Sequence, residues 1–126
     1  MSKDNNFPYK ALTEKIIGAS IEVSNELGIG FLESVYEKAL VIALREKNLK
    51  IIKQSPLEVR FRNQNVGIFY ADLLVENSVI IELKAVSVLL PEHEAQLINY
   101  LKASGIHIGL LINFGKPKLE WKRFAY

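Results

Sequence analysis

A chain of 126 residues with 49% hydrophobic residues, 24% charged residues and a formal net charge of +2 has the size and composition of one folded domain, 1–126, and not of a disordered or fibrous chain. It contains no cysteine and two histidines, His93 and His107, which excludes disulfides, thiolate zinc sites and cysteine nucleophiles and leaves oxygen as the main ligand for any metal. No apolar stretch reaches the roughly 18 to 20 residues of a membrane span, and the opening MSKDNNFPYK has no apolar signal region, so a cytoplasmic protein without a membrane partner is expected.

Residues 1 to 8 are polar and expected to be flexible. From Tyr9 to Leu27, the residues Leu12, Ile16, Ser20, Val23 and Leu27 recur at the helical period, and Gly28 stands where helices commonly end in the left-handed conformation. After GIG, a second helix is predicted over Phe31 to Lys47, with Leu32, Val35, Ala39 and Ala43 on one stripe and Tyr36, Leu40 and Leu44 beside it. The stretch PLEVRFRNQNVGIFYADLLVENSVIIELKAV is rich in Val, Ile, Phe and Tyr, and RNQN and ENS punctuate it as turns, which predicts three consecutive antiparallel strands. Pro91 and the first-turn acids Glu92 and Glu94 open a third helix over 91–104, and Gly105 closes it. IHIGLLIN and KLEWKRF, separated by the turn FGKP, supply two more strands. The order α-α-β-β-β-α-β-β, without internal repeat or linker, predicts an α/β (α+β) domain with a mixed central sheet of about five strands flanked by helices.

The strand VIIELKAV, 79–86, carries two charges in its middle. Alternation puts Glu82 and Lys84 on one face with Ile80, and Ile81, Leu83 and Ala85 on the other. A buried charge costs several kcal/mol unless it is paired or bound to a metal. Asp72 interrupts the preceding strand in the same way. A three-residue loop of Glu76, Asn77 and Ser78 pairs Val75 with Val79 and puts Asp72 opposite Glu82, their Cβ atoms roughly 4.5 to 5.5 Å apart. A two-residue loop would instead pair Asp72 with Leu83 and send the carboxylates to opposite faces. Facing carboxylates repel unless one is protonated or a cation lies between them. Mg²⁺ or Mn²⁺ with an adjacent lysine would make a phosphodiester-hydrolysing site; a structural ion pair between Glu82 and Lys84 is the competing reading.

Asp72, about ten residues, then Glu82-Leu83-Lys84 resembles the D…(D/E)xK core of the PD-(D/E)XK nuclease superfamily, found in restriction enzymes, Holliday-junction resolvases and the nuclease domains of recombination helicases. In GFLESVY, Gly30, Glu33 and Tyr36 are similar to the GxxExxY signature of a family of small bacterial proteins in that superfamily. LGIGFLESVYEKAL, ADLLVENSVIIELKAV and QLINYLKASGIHIGLLINFG also resemble its blocks, over about residues 9 to 124. The resemblance implies a restriction-endonuclease-like α-β-β-β-α-β core. It also implies Mg²⁺ (or Mn²⁺) held by Asp72, Glu82 and Glu33, a Lys84 that assists the attacking water, and roles for Gln96 and Tyr100. One departure is visible: Ala71 stands where the PD proline would be.

Each of these residues also has a simpler reading. Glu33 suits the positive end of the second helix, and Tyr36 suits the core with its hydroxyl partnered. Gln96 and Tyr100, spaced i, i+4, either overlook the charged face of the sheet or edge the core. His93 reads as a surface residue and His107 as a satisfied strand histidine. Trp121 and Phe124 among Lys116, Lys118, Lys122 and Arg123 read as a lysine-defended edge strand before a nucleic-acid surface; Arg60 and Arg62 fit phosphate contacts or a solvated face equally. The expected function is a metal-dependent nuclease acting on nucleic acid, DNA ahead of RNA, with a homodimer as a means of presenting two sites. The alternative is a non-catalytic nucleic-acid- or protein-binding module on the same fold.

Overall fold

A computed structural model describes residues 9–126, so the stretch 1–8 with its expected flexibility lies outside the described residues. The first helical stripe forms α1 (Lys10–Leu27), which buries Ile16, Ala19, Ser20 and Val23. The buried Ser20 hydroxyl is satisfied by donating to the Ile16 carbonyl at 2.8 Å. Gly28 ends α1 at φ 70°, ψ −168°. That is an extended conformation essentially confined to glycine, not the left-handed cap the sequence suggests. The second helix, α2 (Glu33–Glu46), starts two residues after the expected Phe31 and buries Tyr36, Leu40, Val41 and Leu44.

The strands are β1 (Ile51–Phe61), β2 (Gln64–Val75), β3 (Val79–Lys84), β4 (Ile108–Asn113) and β5 (Glu120–Ala125). They form one mixed sheet in the order β1-β2-β3-β4-β5. Only β3 and β4 run parallel, because only they are joined by a crossover, the helix α3 (Pro91–Ser104). Gly105 at φ 73°, ψ 7° is the left-handed cap of α3. The helices α1 and α2 cover one face of the sheet through a cluster that includes Leu73, Val75, Ile81 and Leu83. On the other face α3 packs Leu97, Tyr100 and Leu101 onto Leu57, Ala71, Ile80 and Leu111. This gives an α/β three-layer domain with the expected element order.

Two details of the sheet position the site. First, the facing of β1 and β2 switches along their length. Ala71 packs toward α3, yet Leu73 and Val75, which strict alternation would keep on its face, pack toward α1 and α2. In β1, Leu57 packs toward α3 and Ile51 toward the opposite layer. The pairs Lys53 with Leu73 and Ser55 with Ala71 bracket the switch, so it falls at Gln54 and Asp72, where Gln54 has φ 50°. Second, the chain leaving β3 is clamped to β4. The buried Asn113 carboxamide accepts from the Val86 N–H at 3.0 Å and donates to the Val86 carbonyl at 2.8 Å. The end of β3 is therefore held in place just beyond Lys84.

Candidate active site

The β2–β3 hairpin pairs Val75 with Val79, Leu74 with Ile80 and Leu73 with Ile81. This is the three-residue loop, with Glu76 and Asn77 both left-handed at φ 52° and 53°, and its register puts Asp72 across from Glu82. Beyond Leu73 and Ile81 the backbone ladder stops. From there β2 continues against β1, while Glu82, Leu83 and Lys84 pair with Leu111, Ile112 and Asn113 of β4. At this fork the carboxylates replace the missing backbone acceptors. Glu82 Oε2 accepts from the Asp72 N–H and Asp72 Oδ2 accepts from the Leu83 N–H, both at 2.8 Å. Each acid is thus fixed by the strand opposite, on rigid elements and not on loops.

The fork is costly to charge. Glu82 is 4% exposed, and burial first, then the charge of Asp72, pushes its carboxyl up to about 8; the Asp72 N–H bond and Lys84 oppose the rise without cancelling it. Asp72 is also raised by burial, against its bond from Leu83 and the charge of Lys84. Two hard oxygen donors that repel each other in a partly dry setting fit a hard divalent cation, whose charge would relieve both the repulsion and the desolvation. Among the described residues no group of three or more His, Cys, Asp or Glu side chains is placed to hold a metal ion. Asp72 and Glu82 are two such donors, and a hard cation held by them would take its other ligands from water.

Other polar side chains approach the fork from both helical layers. Glu33, at the exposed start of α2, acts on Glu82 and Glu37 only through space and is the last of the influences on each. Glu37, one turn on, is nearer the centre: burial and then the charge of Asp72 raise its carboxyl. Its Oε1 accepts from Gln54 Nε2 at 3.1 Å. From the opposite layer, Gln96 Nε2 donates to the Tyr100 hydroxyl at 3.0 Å. Burial, followed by the charges of Glu82 and Asp72, raises the Tyr100 phenol and keeps it protonated. Glu37 and Gln54 are not among the sequence-derived candidates. The i, i+4 spacing from Glu33 would have picked out Glu37; nothing in the local sequence distinguishes Gln54.

Residues 10–124 match the family model of the PD-(D/E)XK nuclease superfamily. The chain belongs to this superfamily. Its fold is also similar to the crystal structure of SSO0001, at 16% sequence identity and a TM-score of 0.55, over 93% of this chain and 59% of that one; this chain therefore spans less than two thirds of that protein's length. No curated protein matches it.

The remaining candidates in this PD-(D/E)XK member serve the scaffold. Tyr36 is fully buried, stacks on Phe114 with ring centroids 4.9 Å apart, donates to the Gly28 carbonyl at 2.6 Å and accepts from the Phe31 N–H at 3.3 Å. Its hydroxyl ties down the loop that leads into Glu33. Tyr36→Phe removes the partner of a carbonyl in that loop and is expected to destabilise the fold by about 1 to 3 kcal/mol, read as a lower midpoint in urea with an unchanged slope. His93 Nδ1 accepts from the Leu90 N–H at 3.0 Å at the start of α3. His107 precedes β4 instead of lying within it, and its Nδ1 meets the Tyr126 carbonyl at 2.8 Å. On the edge strand β5, Lys122 pairs with Glu94 at 2.6 Å. At the β1–β2 hairpin, Arg60 pairs with Glu58 at 3.3 Å and Arg62 lies over the Phe61 ring at 4.9 Å. Among the described residues no helix is long and apolar enough to cross a membrane.

Proposed function

We propose that this protein is a metal-dependent nuclease that hydrolyses phosphodiester bonds in nucleic acid, with Asp72 and Glu82 holding Mg²⁺ or Mn²⁺. The observation that carries the reading is the reciprocal pair at the fork: a buried Glu82 and a half-buried Asp72, facing each other, each with one oxygen committed to the opposite backbone. The other oxygen of each would then be the donor to the cation. When bound, the cation supplies Lewis-acid activation of water and neutralises charge on the phosphate.

The chain's own groups divide the remaining work. Asp72 and Glu82 orient the reacting phosphate by fixing where positive charge sits. Lys84, two residues along β3 from Glu82, lies close enough to both carboxylates to favour their charged forms. Its ammonium donates toward the attacking water and the developing negative charge on the phosphate oxygens. Glu33 adds a further acid from the α2 terminus, and the Gln96–Tyr100 pair provides neutral donors on the α3 side. DNA is the proposed substrate ahead of RNA, in line with the restriction, resolvase and recombination branches that the motif resembles. A homodimer would enlarge the small surface that 126 residues offer to a duplex.

The test is cleavage of single-stranded, duplex and branched DNA and of RNA with Mg²⁺ or Mn²⁺. Cleavage that requires the cation and is lost in Asp72→Ala supports the reading. Cleavage that persists in Asp72→Ala rejects the mechanism, and nucleic-acid binding without cleavage leaves the chain as a binding module on this fold.

A further inference from the structure

Gln54 has an unusual conformation for its place in the chain. It lies inside an 11-residue strand and has φ 50°, a left-handed value that an unbranched side chain adopts only at an energetic cost and that glycine or asparagine would tolerate better. The distortion is local, since the pairs on either side, Lys53 with Leu73 and Ser55 with Ala71, keep one register. By that register Gln54 lies opposite Asp72. Its amide donates to Glu37 Oε1 at 3.1 Å and also favours the charged form of Asp72. One carboxamide thus holds an acid on α2 and faces, across the strand pair, an acid on β2.

Backbone strain of this kind persists where the surrounding structure over-determines it, and it clusters at functional sites. In β1 the strain has a visible product: it turns the Gln54 side chain to the carboxylates and switches the facing of both strands at that pair. We propose that Gln54 is a positioning residue for the cation site, its amide holding the Asp72 and Glu37 carboxylates in register with the fork so that Glu37 acts as an outer acid of the same site. This rests on the reading of Asp72 and Glu82 as cation ligands. Outer partners that orient ligating carboxylates typically alter metal affinity 10- to 100-fold when removed.

The test compares wild type, Gln54→Gly and Gln54→Asn by Mn²⁺ calorimetry and by thermal melting without metal. Both replacements accept the left-handed backbone, and neither can reach as Gln54 does: glycine has no amide and asparagine is one methylene shorter. The expected result is an Mn²⁺ affinity about 10- to 100-fold lower with a melting midpoint equal to or above that of wild type. A lower affinity without a lower midpoint separates positioning from mere structural support, which would lower both. Gln54→Gly with wild-type affinity, or with affinity and midpoint falling together, overturns the positioning role. A wild type that binds no Mn²⁺ instead rejects the reading of the fork on which the role depends.

Discussion

Glu82→Gln is expected to raise the melting midpoint of the metal-free protein at pH 8 while removing its affinity for divalent cations. The carboxyl of Glu82 titrates at about 8 in the folded chain against 4.5 for its ordinary value, chiefly through burial and then through Asp72. A raised folded value means that the unfolded chain releases this proton first. The stability linked to Glu82 is therefore fully present below pH 4.5 and is lost as pH rises through about 8. Between pH 5 and 8 the loss is roughly 4 kcal/mol at 1.36 kcal/mol per pH unit, and the raised carboxyls of Asp72 and Glu37 act in the same direction. Glutamine keeps an oxygen to accept from the Asp72 N–H and carries no charge. Its advantage should be about 12 to 20 °C at pH 8, from roughly 4 kcal/mol at roughly 3 to 5 °C per kcal/mol, and small at pH 5. Added Mg²⁺ should narrow the gap by stabilising wild type alone. A wild-type midpoint that is flat or rising over this range, or a Glu82→Gln midpoint no higher at pH 8, would show that the fork does not store this electrostatic cost.

The second large effect separates Lys84 from the carboxylates. Lys84→Met should lower the cleavage rate by about 10²- to 10³-fold, the usual cost of removing one preorganised charge donor, while Mn²⁺ affinity stays within about tenfold of wild type. Asp72→Asn should lose both together. The split follows from position. Asp72 and Glu82 hold each other's backbone N–H groups across the fork. Lys84 influences both through its charge and is not needed to keep either in place. Single-turnover cleavage with saturating Mn²⁺ is the measurement. If Lys84→Met cuts at the wild-type rate, the lysine is only a counter-charge for the carboxylates, as in the structural ion-pair reading.

Why the centre of this site was legible from sequence and its surroundings were not follows from the residues. Charge inside an aliphatic strand is expensive, so Glu82 and Lys84 stand out against VIIELKAV, and the turn residues Glu76, Asn77 and Ser78 fix the register that brings Asp72 across from Glu82. Both signals are local. Gln54 gives no such signal, because glutamine is not a residue that announces a left-handed backbone and its partner acids lie 17 and 18 positions away. The same hidden distortion obscures the first part of β1, which begins at Ile51, before the Val- and Phe-rich texture: Lys53, Gln54 and Ser55 mask the pattern where the strand changes facing. Tyr36 shows a different limit. Its spacing from Gly30 and Glu33 marks it as part of a motif, but only the fold reveals that its hydroxyl holds the Gly28 to Phe31 loop instead of the carboxylates.

The most direct measurement of the central claim, that Asp72 and Glu82 together form a divalent-cation site, is Mn²⁺ titration calorimetry of wild type and Asp72→Ala at pH 8. Saturable binding in wild type and none in Asp72→Ala, with both proteins folded by circular dichroism, is the predicted result. No heat in wild type, or the same isotherm in both proteins, would contradict it.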